Sequence, residues 1–373
     1  MKKNTLIIFI DGFQFDESQR IDAIARNAST SVTPSIGFSN NIYPEMFCGK
    51  NPDAVGYFNE WSPVSNPAKS SADRFLILFD FLRKFKYLNA FFRIIVLKKL
   101  FKKFVGNIPF KYVHLFSPSG AHDFSSFKDE SLLGQYDFEI YDAALCKKSR
   151  LKKNKRDLEI MSTIFEADLS GKNVLLSLME LDNISHTCGM WSGKYEKHLR
   201  FIDSSLDKLI EKYLGENPGG DIFLFSDHGM TPVKKGAVLN LEERFGDMSE
   251  STYRYFLDST FLRIWCKDEA LREKIKIFLS EESSGEVISE AERSTYGVTN
   301  REFADIIFRA NEGIMFLPNF FGIRLVKAMH GYDSELQSQK AVFASLGAKK
   351  EEKASLPSTS IGIFEFLKTR LQS

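Results

Sequence analysis

The sequence predicts an α/β fold, a mostly parallel central sheet flanked by helices, with inserted cap segments. Two kinds of segment predict it. The runs "TLIIFI" (5–10), "VLLSLMEL" (174–181) and "IFLF" (222–225) are short and apolar without alternation, as in strands buried on both faces. Between and after them lie amphipathic stretches such as "KYEKHLRFIDSSLDKLIEKYL" (194–214), where Leu199, Ile202, Leu206, Leu209 and Ile210 recur at helical spacing. Strand and helix in alternation give an open α/β sheet.

Each apolar run meets an acid at its end: Asp11-Gly12, Asp182, and Ser226-Asp227-His228. In open α/β sheets ligands bind beyond the carboxyl ends of the strands, so the three acids predict one shared site. The core is expected in residues 1–62, 159–234 and 319–373. The first insertion, 63–158, contains "RFLILFDFLRKFKYLNAFFRIIVLKKLFKKF" (74–104); from Arg83 to Lys103 it has eight basic residues and no acid. It reads as a packed helical cap with solvated lysines. The competing reading is a basic amphipathic surface that rests on an anionic membrane or grips a polyanionic substrate. The second insertion, 235–318, is mixed and more polar, with "SEESSGE" (280–286) as a loop. Both are expected to form a lid over the sheet edge.

Hydrophobic content of 43%, charged content of 27% and a net charge of +1 describe an ordinary globular chain with no whole-molecule attraction to nucleic acid. Cys48, Cys146, Cys188 and Cys266 are scattered, without a CxxC pair, which suits reduced thiols. The opening "MKKNTLIIFIDGF" mimics a signal peptide, but its apolar run is short and meets Asp11 without a small-residue cleavage site. No stretch approaches the ~18 apolar residues of a membrane span. A cytoplasmic location is the expectation.

Alone, Asp11-Gly12 reads as a strand-ending turn and His330-Gly331 as a loop. Asp182 and His186 stand four apart and can converge on one ion from one helical face or from a tight loop. Together Asp11, Asp182, Asp227, His186, His228 and His330 supply carboxylates and imidazoles without a thiolate, a set that suits Zn²⁺ or Mn²⁺ and is large enough for two ions. His114, His122 and His198 lack such a context and read as ordinary surface or cap residues.

The motifs "FIDGF", "DNISHTCG", "FSDHGM" and "HGYD" resemble the metal-site motifs of the alkaline phosphatase superfamily, in its type I phosphodiesterase and nucleotide pyrophosphatase branch. The resemblance spans residues 9 to 333 and implies an alkaline phosphatase-like core with two metal ions, usually zinc. It implies that Asp11, Asp227 and His228 hold one ion together with the nucleophile, and that Asp182, His186 and His330 hold the other. The stretch "IGFSNNIYPEMFCGKNPDAVGYFNEW" (36–61) is similar to the family's nucleophile, helix and turn. Counting back ten residues from Gly49 gives Ser39 as the implied nucleophile, with Pro52 and Gly56 in register. Ser31, Thr33 and Ser35 compete less well beside Pro34.

A metal-held serine hydroxyl would attack phosphorus and form a phosphoseryl intermediate. Diesterases of this branch place an Asn about where Asn59 stands, at +20 from Ser39. A monoesterase would bring an Arg close to the nucleophile for its dianion, and none lies between Asn27 and Asp73. The sulfatase pattern of Cys or Ser followed by xPxR is absent at Ser39 and Cys48. The resemblance therefore implies a hydrolase of phosphodiester or pyrophosphate bonds on a small nucleotide-like substrate. The surroundings of Ser39 look like relatives tied to surface-glycan synthesis, which narrows this to a nucleotide sugar or glycan-linked phosphodiester. The nucleotide pyrophosphatases' base-stacking aromatic after the nucleophile is replaced by Asn40; Trp61 and Trp191 could stack instead. The alternatives are a phosphomonoesterase, a phosphomutase, or an inactive metal-stabilised binding protein.

Overall fold

The structure, a computed structural model, describes residues 3–36, 39–56, 59, 61–65, 67, 69, 71–93, 106–118, 130–142, 156–347 and 355–372. It divides into two compact units. The first comprises Met1–Gly56, His122–Val233 and Val326–Ser373; the second comprises Tyr57–Ala121 and Lys234–Leu325. His122, Cys146 and residues 94–104 of the Phe- and Lys-rich segment lie outside the described residues.

The first unit is built on a six-stranded sheet. Its order is Ala28–Val32, Ala341–Leu346, Asp221–Phe225, Thr5–Ile10, Asn173–Leu178, Phe138–Asp142. Thr5–Ile10 runs parallel to both neighbours, with Ile8 opposite Leu176 on one side and Leu224 on the other. Phe138–Asp142 is parallel to Asn173–Leu178, while Ala341–Leu346 is antiparallel to both of its neighbours. The sheet is thus mostly parallel, as the apolar runs predict.

Alternation along the central strand separates two cores. Leu6, Ile8 and Ile10 face one layer, with Leu199, Ile202, Leu206 and Leu209 of the helix Gly193–Glu216 and Ile160 and Ile164 of the helix Arg156–Glu166. Ile7 and Phe9 face the other, with Ile42, Met46 and Phe47 of the helix Ser39–Cys48 and Ile363 and Leu367 of the helix Ser360–Gln372. Helices on both faces explain why the strands carry no polar side: neither face meets water.

Two edge strands differ from the sequence reading. Phe138–Asp142, "FEIYD", falls within the stretch 63–158 assigned to a cap, and Ala28–Val32, "ASTSV", carries no apolar run. An edge strand is covered on fewer sides, so it needs less apolar sequence and leaves a weaker signal. The run 174–181 also divides: the strand ends at Leu178 and a helix starts at Glu180.

The second unit contains a four-stranded antiparallel sheet in the order Tyr253–Leu257, Phe261–Cys266, Ile306–Ala310, Gly285–Val287. The helix Glu269–Ser280 follows the second of these strands, capped by the Asp268 side chain on the Leu271 N–H. Buried Arg309 pairs with Glu286 and Glu292, so its charge enters the unit compensated. Cys48, Cys188 and Cys266 are free thiols.

Leu206 is fully buried against the sheet. Leu206→Ala is expected to lower stability by about 2–5 kcal/mol through lost contact and a residual cavity, read as a lower urea midpoint for the first unit.

Candidate metal centre

The strands of the first unit end in register, and their ends set the site. Ile10 pairs with Leu178 and Phe9 with Phe225, so Asp11, Asp182 and Asp227 emerge at one edge of the sheet. The Asp11 N–H donates to Leu178 O at 2.9 Å, which ties the first loop to the neighbouring strand. Asp182 stands in the first turn of the helix Glu180–Cys188, where the helix dipole favours a carboxylate. His186, one turn on, shares its face, and its Nε2 lies 3.3 Å from Asp182 Oδ1.

The ligand atoms of Asp11, Asp227 and His228 lie within 4.8 Å of one another, and so do those of Asp182, His228 and His330. The His228 and His330 rings stack at 3.7 Å between centroids, and His186 lies 5.3 Å from His330. Ser39 opens its helix at the same place: its Oγ is 3.1 Å from His228 Nε2 and 3.4 Å from Asp11 Oδ1. The structure therefore brings together Asp11, Ser39, Asp182, His186, Asp227, His228 and His330. His228 touches both groups, whereas the resemblance divides the ligands into two separate sets.

Two buried carboxylates and a half-buried third so close together need positive charge. Burial, then the charges of Asp227 and Asp182, push the Asp11 carboxyl well above its ordinary range. Burial also pushes Asp182 upward, but His186, His330 and His228 together hold it below its ordinary value. His186 is raised: burial lowers it, and the neighbouring Asp182 charge overrides that. Asp182 Oδ1 and Asp227 Oδ2 are buried and accept no hydrogen bond. The His186 Nδ1–H donates to Ala328 O at 2.8 Å and the His228 Nδ1–H to Gly229 O at 3.0 Å. Those bonds select the tautomer that leaves each Nε2 lone pair facing the carboxylates. Carboxylate oxygens without donors, opposite imidazole lone pairs, fit divalent cations, and these clusters could hold them.

Backbone devices hold the side chains. Asp227 Oδ1 accepts the N–H groups of Gly12 and His228 at 3.1 and 3.0 Å. Gly12 has φ +66°, and a Cβ there would come within 3.0 Å of Asp182, so only glycine suits both the turn and the close approach. Gly229 is as constrained: a Cβ would lie 2.3 Å from Ser338 O. Buried Gln339 joins the two histidine loops. Its Oε1 accepts the Gly331 and Tyr332 N–H groups at 2.9 and 3.2 Å, its Nε2 donates to Thr231, and its carbonyl accepts the Gly229 N–H. In sequence Gln339 belongs to the polar run "ELQSQK", which carries no motif.

Asp157 is a second residue without a sequence signal. Its Oδ1 accepts the Met179 N–H at 3.0 Å, and its Oδ2 accepts the Glu180 N–H at 3.1 Å and the His198 Nε2–H at 3.0 Å. Glu180 returns a bond to the Asp157 N–H at 3.1 Å. These three residues also form a group with ligand-like spacing. Because both Asp157 oxygens already hold donors, the arrangement is a clamp on the start of the helix that carries Asp182 and His186. His198 thus departs from its reading as an ordinary surface residue. It is half-buried and braces the clamp.

Asn59 lies in the second unit, buried, with its amide donating to Asp258. Trp61 is buried there and stacks on Phe256. Trp191, in the first unit, is exposed, has φ 60°, and donates its indole N–H to Glu17 at 2.9 Å.

Two outcomes follow from this geometry. Gln339→Ala is expected to weaken divalent-metal affinity by about 10–100-fold, measured by calorimetric titration, with the far-UV spectrum unchanged. Glu45, buried in the Ser39 helix, is pushed up to about 8 from 4.5 by burial, against a lowering hydrogen bond to Ser35. A raised folded value means that its stabilising contribution is complete below about 4.5 and is lost as pH rises through about 8. Denaturant titrations of metal-free protein across that window are expected to show a fall in stability that Glu45→Gln flattens.

With this geometry in place, comparison with known proteins gives a consistent answer. The type I phosphodiesterase / nucleotide pyrophosphatase family matches residues 112–332. Murine ectonucleotide pyrophosphatase / phosphodiesterase 5 in complex with AMP has a similar structure, with a TM-score of 0.63 at 17% identity over 100% of this chain and 95% of that one. The human protein of the same name gives 0.62 at 17% identity, with the same coverage. Phosphonoacetate hydrolase from Sinorhizobium meliloti 1021, in complex with phosphonoacetate, gives 0.59 at 15% identity over 99% of this chain and 96% of that one. No curated protein matches the sequence. The chain belongs to the type I phosphodiesterase / nucleotide pyrophosphatase family of the alkaline phosphatase superfamily, and it is a metal-dependent phosphoesterase of the class that hydrolyses phosphodiester or pyrophosphate bonds.

Proposed function

We propose that the chain cleaves a small nucleotide-like phosphodiester or pyrophosphate through a phosphoseryl intermediate on Ser39. The observation that carries this is the Ser39 hydroxyl, at the first residue of a helix, 3.1 Å from His228 Nε2 and 3.4 Å from Asp11 Oδ1. Asp11, Asp227 and His228 would hold one divalent ion with Ser39, and Asp182, His186 and His330 a second; zinc is the first choice and manganese the other. Bound there, the ions supply positive charge for the phosphoryl oxygens and lower the pKa of a hydroxyl or water.

The chain's own residues do the rest. Ser39 Oγ attacks phosphorus; the new Oγ–P bond forms as the bond to the leaving oxygen breaks. First-turn N–H groups of the Ser39 helix lack acceptors within the helix and suit the phosphoryl oxygens. Water then cleaves the Oγ–P bond and restores the hydroxyl. The AMP bound to the murine neighbour supports a nucleotide-like substrate; a nucleotide sugar or glycan-linked phosphodiester is the narrower form of the proposal.

Hydrolysis of bis-p-nitrophenyl phosphate with Zn²⁺ or Mn²⁺ is expected to exceed that of p-nitrophenyl phosphate. Ser39→Ala is expected to lower kcat by about a thousandfold or more while metal still binds. A monoester preference would favour the monoesterase alternative. Absence of turnover by metal-loaded protein would overturn the enzymatic proposal.

A further inference from the structure

Large apolar side chains exposed to solvent are concentrated in one stretch of the second unit. Six of the fourteen found among the described residues fall between Phe75 and Phe91: Phe75, Leu78, Phe81, Phe85, Leu88 and Phe91, with exposure from 44% to 69%. They occupy the helices Ser71–Ile77 and Lys86–Phe92 and the turns and 3₁₀ segment between them.

The other side of this stretch is fastened down. Leu76 and Leu82 are buried, Phe79 stacks on Phe92 at 4.6 Å between centroids, and Phe92 meets Phe110 at 5.6 Å. Arg93 donates to the carbonyls of Gly106 and Ile108, and its guanidinium covers the Phe110 ring at 4.2 Å. An inner apolar face explains a packed helix; it does not explain five residues of the outer face, Leu78, Phe81, Phe85, Leu88 and Phe91, each more than half exposed.

We propose that this outer face docks on an anionic lipid surface. Charge selects that occupant. In sequence, residues 74–92 carry Arg74, Arg83, Lys84 and Lys86 against the single acid Asp80, and such an excess would repel a second copy of the same stretch while attracting anionic headgroups. Exposed Phe and Leu beside Lys and Arg are the side chains of an interfacial amphipathic surface. Among the described residues no helix is long and apolar enough to cross a membrane, so the proposed contact is peripheral.

The test is sedimentation of the full chain with vesicles of phosphatidylcholine alone and of phosphatidylcholine mixed with phosphatidylglycerol, at low and high salt. Wild type is expected to pellet with the anionic vesicles and to be released by salt. The triple variant Phe81→Ser, Phe85→Ser, Leu88→Ser is expected to bind about tenfold or more weakly, with unchanged Tm and unchanged hydrolysis of bis-p-nitrophenyl phosphate. Failure of wild type to bind anionic vesicles would overturn the proposal, as would equal binding by the variant. Sedimentation velocity without lipid supplies the remaining outcome: a dimer that the triple variant dissolves would assign the face to a second copy and overturn the proposal.

Discussion

Asp11, Asp182 and Asp227 place three carboxylates in one buried region at the ends of strands, and like charges removed from water repel strongly. The strands bring these acids together through their register. Three imidazoles stand against them, and burial with the charges of Asp227 and Asp182 pushes the Asp11 carboxyl well above its ordinary range. Such a cluster calls for a rigid frame and for positive charge to offset the repulsion. The sheet supplies the frame, with one fully buried core on each face.

Holding the cluster takes more than its seven functional side chains. Gly12 and Gly229 allow backbone to approach where a Cβ would collide. Gln339 fastens the loops of His228 and His330 to each other, and Asp157 with His198 fixes the start of the helix that presents Asp182 and His186. The Nδ1–H bonds of His186 and His228 to backbone carbonyls set their tautomers. Each device restricts a side chain before any ligand arrives, and that restriction turns a group of polar residues into a site.

The second unit follows other rules. Its sheet is antiparallel, its buried arginine Arg309 is neutralised by glutamates, and one stretch leaves phenylalanines and leucines in solvent. The first unit confines charge in its interior; this stretch puts apolar surface outside. The proposals made for them differ accordingly, chemistry on phosphate for the first and contact with an anionic lipid surface for the second.

The parallel sheet and the site were legible in sequence for one reason. A strand buried on both faces must be apolar throughout, and a functional acid at its end breaks that run visibly, as at Asp11 and Asp227. The i,i+4 spacing of Asp182 and His186 left a helical face or a tight loop open, and the helix from Glu180 decided it. Edge strands such as Ala28–Val32 and Phe138–Asp142 escaped because partial cover imposes little composition. Gln339, Asp157 and His198 escaped because a hydrogen bond between residues far apart in the chain leaves no local pattern. Sequence by itself determined which residues are the candidates for the chemistry, since ligand types and strand ends are local properties. Tertiary structure alone decided how they are held, and that His228 stands between both ligand groups, because those are distances across the sheet.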